Sequence, residues 1–475
     1  MAACPHTAMG DGLPMPRRLW AMLAIALSIG VSVLDATIVN VALPSLVRDL
    51  HITEAASIWV VNAYQIATIL FLLPLSSLGD TVGYRKVYLW GILLFGCASL
   101  GCALARTLTM LIAMRVVQGF GAAALCSINS TLIRLIFPAA QLGRGMGINA
   151  MVVALSSVAG PTVAAAILSV AGWEWLFAIN VPICCIAFLL SYRHLPMNPH
   201  RATGRRFNLG EALLNALFFG LLFAVVEGLS HGLAGRWIAL LAFAWGVTAV
   251  LHIREQLRAP YPLLPFDLLR DRLFSVTVLT SVCSYLGQML ALVALPFYLQ
   301  LSFGYTELAT GLLLTAWPAV TILFSPVAGW LVERVHAGWL GGVGLAAMAV
   351  GAALLGWMPE EPTRGDFIWR MVLCGAGFAL FQSPNNSVLI ASSPTARSGA
   401  ASGVQATARL LGQTVGAALV ALLFHLFGGE GPRMALHLAA LFAALGAAVS
   451  FARLHLPLPE ALQPKKGVRE GKNSK

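Results

Sequence analysis

Residues 76–86 read Ser76-Ser77-Leu78-Gly79-Asp80-Thr81-Val82-Gly83-Tyr84-Arg85-Lys86. One apolar run, 56–76, ends where this segment begins, and another, 87–105, starts where it stops. Each run has the length of about 20 residues that a helix needs to cross about 30 Å of hydrocarbon. The same alternation of apolar run and short polar turn extends from Leu19 almost to the C-terminal end. Of 475 residues, 59% are hydrophobic and 10% charged, with a mean hydropathy of +0.82. Soluble domains carry about 25% charged residues, so a soluble globular fold is excluded. A membrane β-barrel would need strictly alternating strands of about 10 residues, which these runs do not provide.

Working outward from residues 76–86, the sequence predicts an all-α membrane protein with fourteen spans. They cover 19–42, 56–76, 87–105, 108–133, 144–170, 174–192, 209–230, 235–253, 273–300, 308–332, 339–358, 367–391, 399–427 and 434–454. An even number puts both termini on one side. The net charge of +11 invites a nucleic-acid partner, but its placement argues against one. Arg48, Arg106, Arg236, Arg364, Arg370 and Arg433 fall on one side, and Arg115 and Arg409 inside spans. The remainder of the 30 Lys and Arg, the tail Lys465, Lys466, Arg469, Lys472 and Lys475 among them, lie on the other. Such a bias marks the cytoplasmic side.

The eight cysteines show no metal or redox spacing, and seven lie in apolar segments as buried thiols would. No cleavable signal peptide is expected, because the first apolar segment carries Asp35 and is too long for a signal core.

Two stretches repeat. Arg115-Val-Val-Gln-Gly-Phe-Gly-Ala-Ala-Ala-Leu is followed by Asn129-Ser-Thr-Leu-Ile, and Arg370-Met-Val-Leu-Cys-Gly-Ala-Gly-Phe-Ala-Leu by Asn386-Ser-Val-Leu-Ile. Leu78-Gly79-Asp80 and Leu331-Val332-Glu333-Arg334 recur at a similar offset. The sequence therefore divides into a six-helix bundle (1–192), a linker with two inserted helices (193–256), a second six-helix bundle (257–456) and a basic cytoplasmic tail (457–475). Duplicated halves around a midplane site are a common plan for secondary transporters.

These segments resemble the major facilitator superfamily, and within it the fourteen-helix drug:proton antiporter branch. Residues 76–86 resemble its cytoplasmic gating motif, with Asp80, Gly83, Arg85 and Lys86 in place and Ser76 where the family has Gly. The first span carries Leu34-Asp35-Ala-Thr37-Ile-Val-Asn40-Val-Ala-Leu-Pro44, similar to the branch's first helix. An acid in mid-span is costly and should face a cavity or a partner. Asp35 is thus a proton carrier, a counter-ion for cationic substrates, or half of a structural pair with Arg115. In the family pattern Arg115 supports proton coupling; a headgroup anchor is the other reading. Ser156 to Ala165 resembles the antiporter motif through Gly160 and Pro161, with Ser156, Ala164 and Ala165 replacing glycines. Weaker matches are Trp173 to Pro182, with Glu174 for Arg, Phe207 to Gly210, with Asn208 for Asp, Leu268 to Phe274, and Thr407 to Gln413.

The resemblance implies a proton-coupled antiporter that exports hydrophobic or cationic small molecules from the cytoplasm of a bacterium through its inner membrane. Its partners would be lipid, protons and the substrate, with a periplasmic adaptor as a further candidate, and it would need no cofactor. Candidate cavity residues are Trp59, Asn62, Tyr64, Gln118, Asn129, Asn149, Gln288, Gln382, Asn385, Gln405 and Arg409. Polar side chains also hold membrane helices together, at about 0.6 kcal/mol each. Glu227 is expected to be exposed on a peripheral inserted helix. A single-metabolite exporter, of a siderophore, sugar or amino acid, would share every motif. A membrane scaffold would have no use for Asp35 and Arg115, and an enzyme lacks support: no nucleophile stands near a credible base, and no Gly-x4-Gly-Lys-Ser/Thr loop occurs. Reporter fusions at Arg205 and Glu470 are expected to give cytoplasmic signals; a periplasmic signal from either would overturn the even-span arrangement.

Overall fold

The structure, a computed structural model, describes residues 12–138, 142–197, 208–230, 233–258, 268–332, 334–359, 361–392 and 398–457. Among the described residues the backbone is helical, with no strand. The α-helices are, in chain order, α1 (Arg17–Leu50), α2 (Glu54–Ser57), α3 (Trp59–Val82), α4 (Tyr84–Ala103), α5 (Leu108–Ile136), α6 (Leu142–Leu168), α7 (Glu174–Ala178), α8 (Asn180–His194), α9 (Leu209–Ser230), α10 (Gly235–Arg258), α11 (Arg272–Phe297), α12 (Glu307–Leu314), α13 (Ala316–Leu331), α14 (Ala337–Gly356), α15 (Arg364–Ala391), α16 (Ser398–Phe427) and α17 (Gly431–Ala452). Helix is the form that satisfies every backbone polar group of a lone spanning segment. The starts are encoded locally. Thr53, Thr107 and Thr306 each accept a hydrogen bond from the backbone N–H three residues on, and Asp271 does the same for Phe274. Gly83 separates α3 from α4 at φ +116°, which a side chain would strain.

Twelve segments among the described residues are helical, long and apolar enough to cross a membrane. The sequence-based count of fourteen is not supported by that measure, and the difference lies toward the C-terminal end. Helix α15 is not one of the twelve, because Arg364, Asp366 and Arg370 open it and Gln382-Ser383-Pro384-Asn385-Asn386-Ser387 dilutes its apolar character. The stretch Gly403–His455 counts once, although it contains most of α16 and all of α17.

The helices form two compact units, one of α1–α10 with α12, the other of α11 with α13–α17. In the first, α6 packs so closely on α1 that a Cβ on Gly160 would lie 2.0 Å from Thr37 Oγ1. Helix α12 lies against α6 equally closely: a Cβ on Gly311 would stand 2.6 Å from the Pro161 carbonyl oxygen. Thr162 and Thr315 share a hydroxyl hydrogen bond of 2.7 Å, and Glu307 accepts from Arg48 and Ser45 of α1.

Each unit repeats the same close seams. A Cβ on Gly119 would lie 2.4 Å from the Tyr64 carbonyl oxygen, and one on Gly375 2.5 Å from that of Trp317. Thr68 and Thr321 donate to the Gly119 and Gly375 carbonyls, each at 3.2 Å. Gly121 approaches the backbone of Gly91 and Phe95 as Gly377 approaches that of Gly344 and Met348. These pairs stand at the offset of the sequence repeat.

Gly160→Ala is expected to lower the thermal unfolding midpoint in detergent, because overpacking costs about 1–3 kcal/mol. Thr37→Ala in the same chain should restore part of the loss, since it removes the atom that Cβ would meet. An unchanged midpoint for Gly160→Ala would show that α6 and α1 need no such approach.

Candidate functional site

Asp35 sits in the middle of α1 and is 1% exposed. Its Oδ2 accepts from Arg115 Nη1 at 2.5 Å, and its Oδ1 from Gln118 Nε2 at 2.9 Å and Asn180 Nδ2 at 2.7 Å. Three donors therefore converge on the ionised form of one carboxylate. Arg115 is also 1% exposed. Its Nε donates to the Val60 carbonyl at 2.9 Å, and its Nη1 also to Gln118 Oε1 at 2.8 Å. The guanidinium lies over the Tyr64 ring at 4.3 Å and the Phe177 ring at 5.7 Å. Ser99 Oγ accepts from Gln118 Nε2 at 2.8 Å, and the Tyr64 hydroxyl meets Ser32 Oγ at 3.0 Å.

The centre is thus assembled from α1, α3, α4, α5, α7 and α8. Taking two charges out of water costs several kcal/mol per ion, which their attraction offsets only when further hydrogen bonds complete the site. Here the amides and the Val60 carbonyl complete it. Chemically, the arrangement can hold Asp35 as an anion while Arg115 is in place. Besides the carboxylate, the Val60 carbonyl, Gln118 and two aromatic faces hold the guanidinium.

The sequence named Asp35 and Arg115 as a pair, and they meet. It put Gln118 and Tyr64 in a cavity; both belong to this centre. It missed Ser99 and did not assign Asn180 to the site, although a polar residue inside an apolar run was the available signal. The remaining candidates of the first unit lie in separate contacts. Asn129 Nδ2 donates to Asn149 Oδ1 at 3.0 Å, joining α5 to α6, and Asn62 Nδ2 donates to Glu227 at 2.7 Å. Trp59 is half-buried at the start of α3. A cleft of about 470 Å³ in the first unit is lined by Pro44, Arg48, Gln300, Tyr305 and Glu307 among others, and by none of these candidates.

In the second unit Gln382 Nε2 donates to the Tyr285 hydroxyl at 3.2 Å, and Asn385 Nδ2 to Ser281 Oγ at 2.7 Å. Gln288, Gln405 and Arg409 are half-buried. Arg453, which the sequence reading did not assign to a site, is 1% exposed and donates to Asn385 Oδ1 at 2.8 Å and to Ser450. Glu227, expected to be exposed, is 6% exposed, because α9 packs on α3. In the segment 76–86, Arg85 donates to the Tyr192 carbonyl and lies over that ring at 5.6 Å, while Lys86 is exposed. The Asp80 side chain, Glu333 and the tail lysines lie outside the described residues.

The Major Facilitator Superfamily profile matches residues 25–264 and 277–474. An Escherichia coli (strain K12) protein described as uncharacterized transporter YebQ is 54% identical over 451 residues, covering 95% of this chain and 99% of that one. Multidrug resistance protein Stp of Mycobacterium tuberculosis (strain CDC 1551 / Oshkosh) is 29% identical over 85% of this chain and 75% of its own. Among solved structures, a bacterial homologue of the human lysosomal transporter Spinster, inward-facing and unoccupied, superposes with a TM-score of 0.68 at 15% identity, over 93% of this chain and 97% of that one. A multi-pass membrane transporter, this chain belongs to the Major Facilitator Superfamily.

Proposed function

We propose that this transporter is a proton-coupled antiporter that exports hydrophobic or cationic small molecules across the bacterial inner membrane. The observation that carries the reading is the buried Asp35–Arg115 pair, an intramembrane acid whose charge is balanced by a side chain able to let go of it. The name of Stp, a multidrug resistance protein, supports the substrate class. In this reading α15 and both helices within 403–455 also cross, giving fourteen crossings with both termini cytoplasmic. The gating loop, with Asp80, Gly83 and Arg85, closes the cytoplasmic side.

The cycle follows from charge balance. A proton entering from outside neutralises Asp35 and frees Arg115 from its carboxylate. Arg115 then rests on the Val60 carbonyl, Gln118 and the Tyr64 and Phe177 faces. Release of the proton to the cytoplasm restores the pair. A cationic substrate competes with the proton for the same carboxylate, so one leaves as the other arrives. Polar residues of the second unit, Gln288, Gln382, Gln405 and Arg409, are assigned to substrate contact.

Asp35→Asn is expected to reduce pH-driven dye export in proteoliposomes to the leak rate. Asn is nearly isosteric, so the protein should still reach the membrane. Neutral substrates separate the two roles of the acid: they fail as well if Asp35 carries the proton, and pass if it is only a counter-ion. Unchanged export of both types by well-expressed Asp35→Asn would remove Asp35 from coupling. Export of one cell metabolite but no dye by the wild type would favour a single-substrate exporter.

A further inference from the structure

The amide of Asn180 is held on one side only. Asn180 opens α8 and is completely buried. Its Nδ2 donates to Asp35 Oδ1 at 2.7 Å and reaches Ser99 Oγ at 3.5 Å, the outer limit of a hydrogen bond. Its Oδ1 is buried with no hydrogen-bond partner, a condition that folded proteins avoid for most polar atoms. The segment that carries it serves both charges of the centre. Phe177 of α7, three residues earlier, presents its ring to the Arg115 guanidinium, and Asn180 presents its amide to the carboxylate.

Ionised Asp35 meets donors: Arg115 Nη1, Gln118 Nε2 and Asn180 Nδ2. A protonated carboxyl has a different requirement, because its O–H is itself a donor and needs an acceptor. The acceptors around Asp35 are engaged. The Val60 carbonyl takes Arg115 Nε, and Gln118 Oε1 takes Arg115 Nη1 and the Cys102 thiol. Ser99 Oγ takes Gln118 Nε2 and gives its own proton to the Phe95 carbonyl, while the Tyr64 hydroxyl is joined to Ser32. Among the described side chains of the centre, Asn180 Oδ1 is the acceptor left over, and it belongs to a group already touching Asp35. The titratable groups facing Asp35 from α3, α4, α5 and α8 are Tyr64, Cys102, Arg115 and Cys184. The other charges of α1, namely Arg17, Arg18, Arg48 and Asp49, lie at its ends, and Glu307 of α12 is bonded to Arg48. Among its described side chains α6 has no titratable group.

An asparagine amide can meet either need. Half a turn about its last side-chain bond exchanges Oδ1 and Nδ2 at nearly the same positions, and that torsion is soft and roughly two-fold. The carbonyl side of the Asn180 amide has no hydrogen bond to break, so nothing on that side opposes the rotation.

We propose that Asn180 is a positioning residue of the proton site: its amide donates to ionised Asp35 and, turned over, accepts the hydroxyl of protonated Asp35. The proposal rests on the proton-coupled reading above. The proton adds to Asp35 Oδ1, the oxygen that Asn180 faces, and hydrogen bonds alone rearrange around it. Asp35 thereby keeps a partner on α8 in both halves of the cycle, when Arg115 holds it and when Arg115 has let go.

The test compares Asn180→Thr with Asn180→Val, two substitutions of nearly equal shape. A threonine hydroxyl rotates to donate or to accept, and valine does neither. Infrared difference spectra of the purified transporter in lipid, acid minus neutral, report the carboxyl directly. The Asp35 C=O band, identified by its loss in Asp35→Asn, should keep the wild-type frequency in Asn180→Thr. It should rise in Asn180→Val, where the O–H finds no acceptor. Export of ethidium under a pH gradient in proteoliposomes should fall about tenfold in Asn180→Val, the effect of one unmade buried hydrogen bond, and recover in part in Asn180→Thr. A carboxyl band at the same frequency in the wild type and Asn180→Val would overturn the proposal, as would a Thr variant that exports no better than the Val variant. Should the variants not fold, the wild type still decides: an Asp35 band at the frequency of a carboxyl that donates to nothing would overturn the proposal while leaving coupling through Asp35 intact. The absence of any Asp35 carboxyl band on acidification would overturn both readings, an outcome distinct from the failure of Asn180 alone.

Discussion

Placing a carboxylate in the middle of a membrane helix is affordable only if the surrounding helices are brought to it, and much of the first unit can be understood from that requirement. Asp35 on α1 needs Arg115 from α5. Arg115 in turn needs the Val60 carbonyl and the Tyr64 face from α3. Gln118 and Asn180 complete the carboxylate, and Ser99 on α4 receives the spare amide proton of Gln118. Removing one member of such a buried pair costs about 3–5 kcal/mol, because the remaining charge has no water to turn to.

Small residues make this convergence possible. Gly119 lets α5 approach the α3 backbone at Tyr64, one turn from Arg115, and Gly160 lets α6 approach α1 at Thr37, two residues from Asp35. Lipid offers no hydrophobic drive between helices, so close contact and hydrogen bonding have to supply the attachment. In this transporter the glycines set how near the helices come, and the polar side chains set which way they face.

How much of this was legible in the sequence depended on the physical signal. Apolar runs of membrane length announced the helical class, and an acid and an arginine inside two of them announced each other. Gly83 and Gly160 were readable because a left-handed turn and a close approach each demand the absence of a side chain. Ser99 and Asn180 were not assigned to the site, because a single polar residue in a span looks the same whether it glues helices or orients an acid. Glu227 was expected to be exposed because it stands near the end of an apolar run, and only the packing of α9 on α3 buries it. The sequence-based count of fourteen departs from the twelve apolar spans where α15 mixes charge and amide into its apolar run and where 403–455 counts once.

The glycine seams occur in both units, but among the described residues the buried acid–arginine pair occurs in the first. Arg370 stands where the repeat would place a second Arg115, yet it is held at the start of its helix by Asp366, four residues earlier on the same helix. This is the pattern left when an ancestral gene is duplicated and the two copies are released to different tasks. The scaffold tolerates little drift, because each seam is a steric constraint on two backbones at once. The electrostatic equipment is free to diverge, because a buried ion pair in one unit places no steric demand on the backbones of the other. The polar positions of the second unit are thereby free to change without disturbing the Asp35–Arg115 pair.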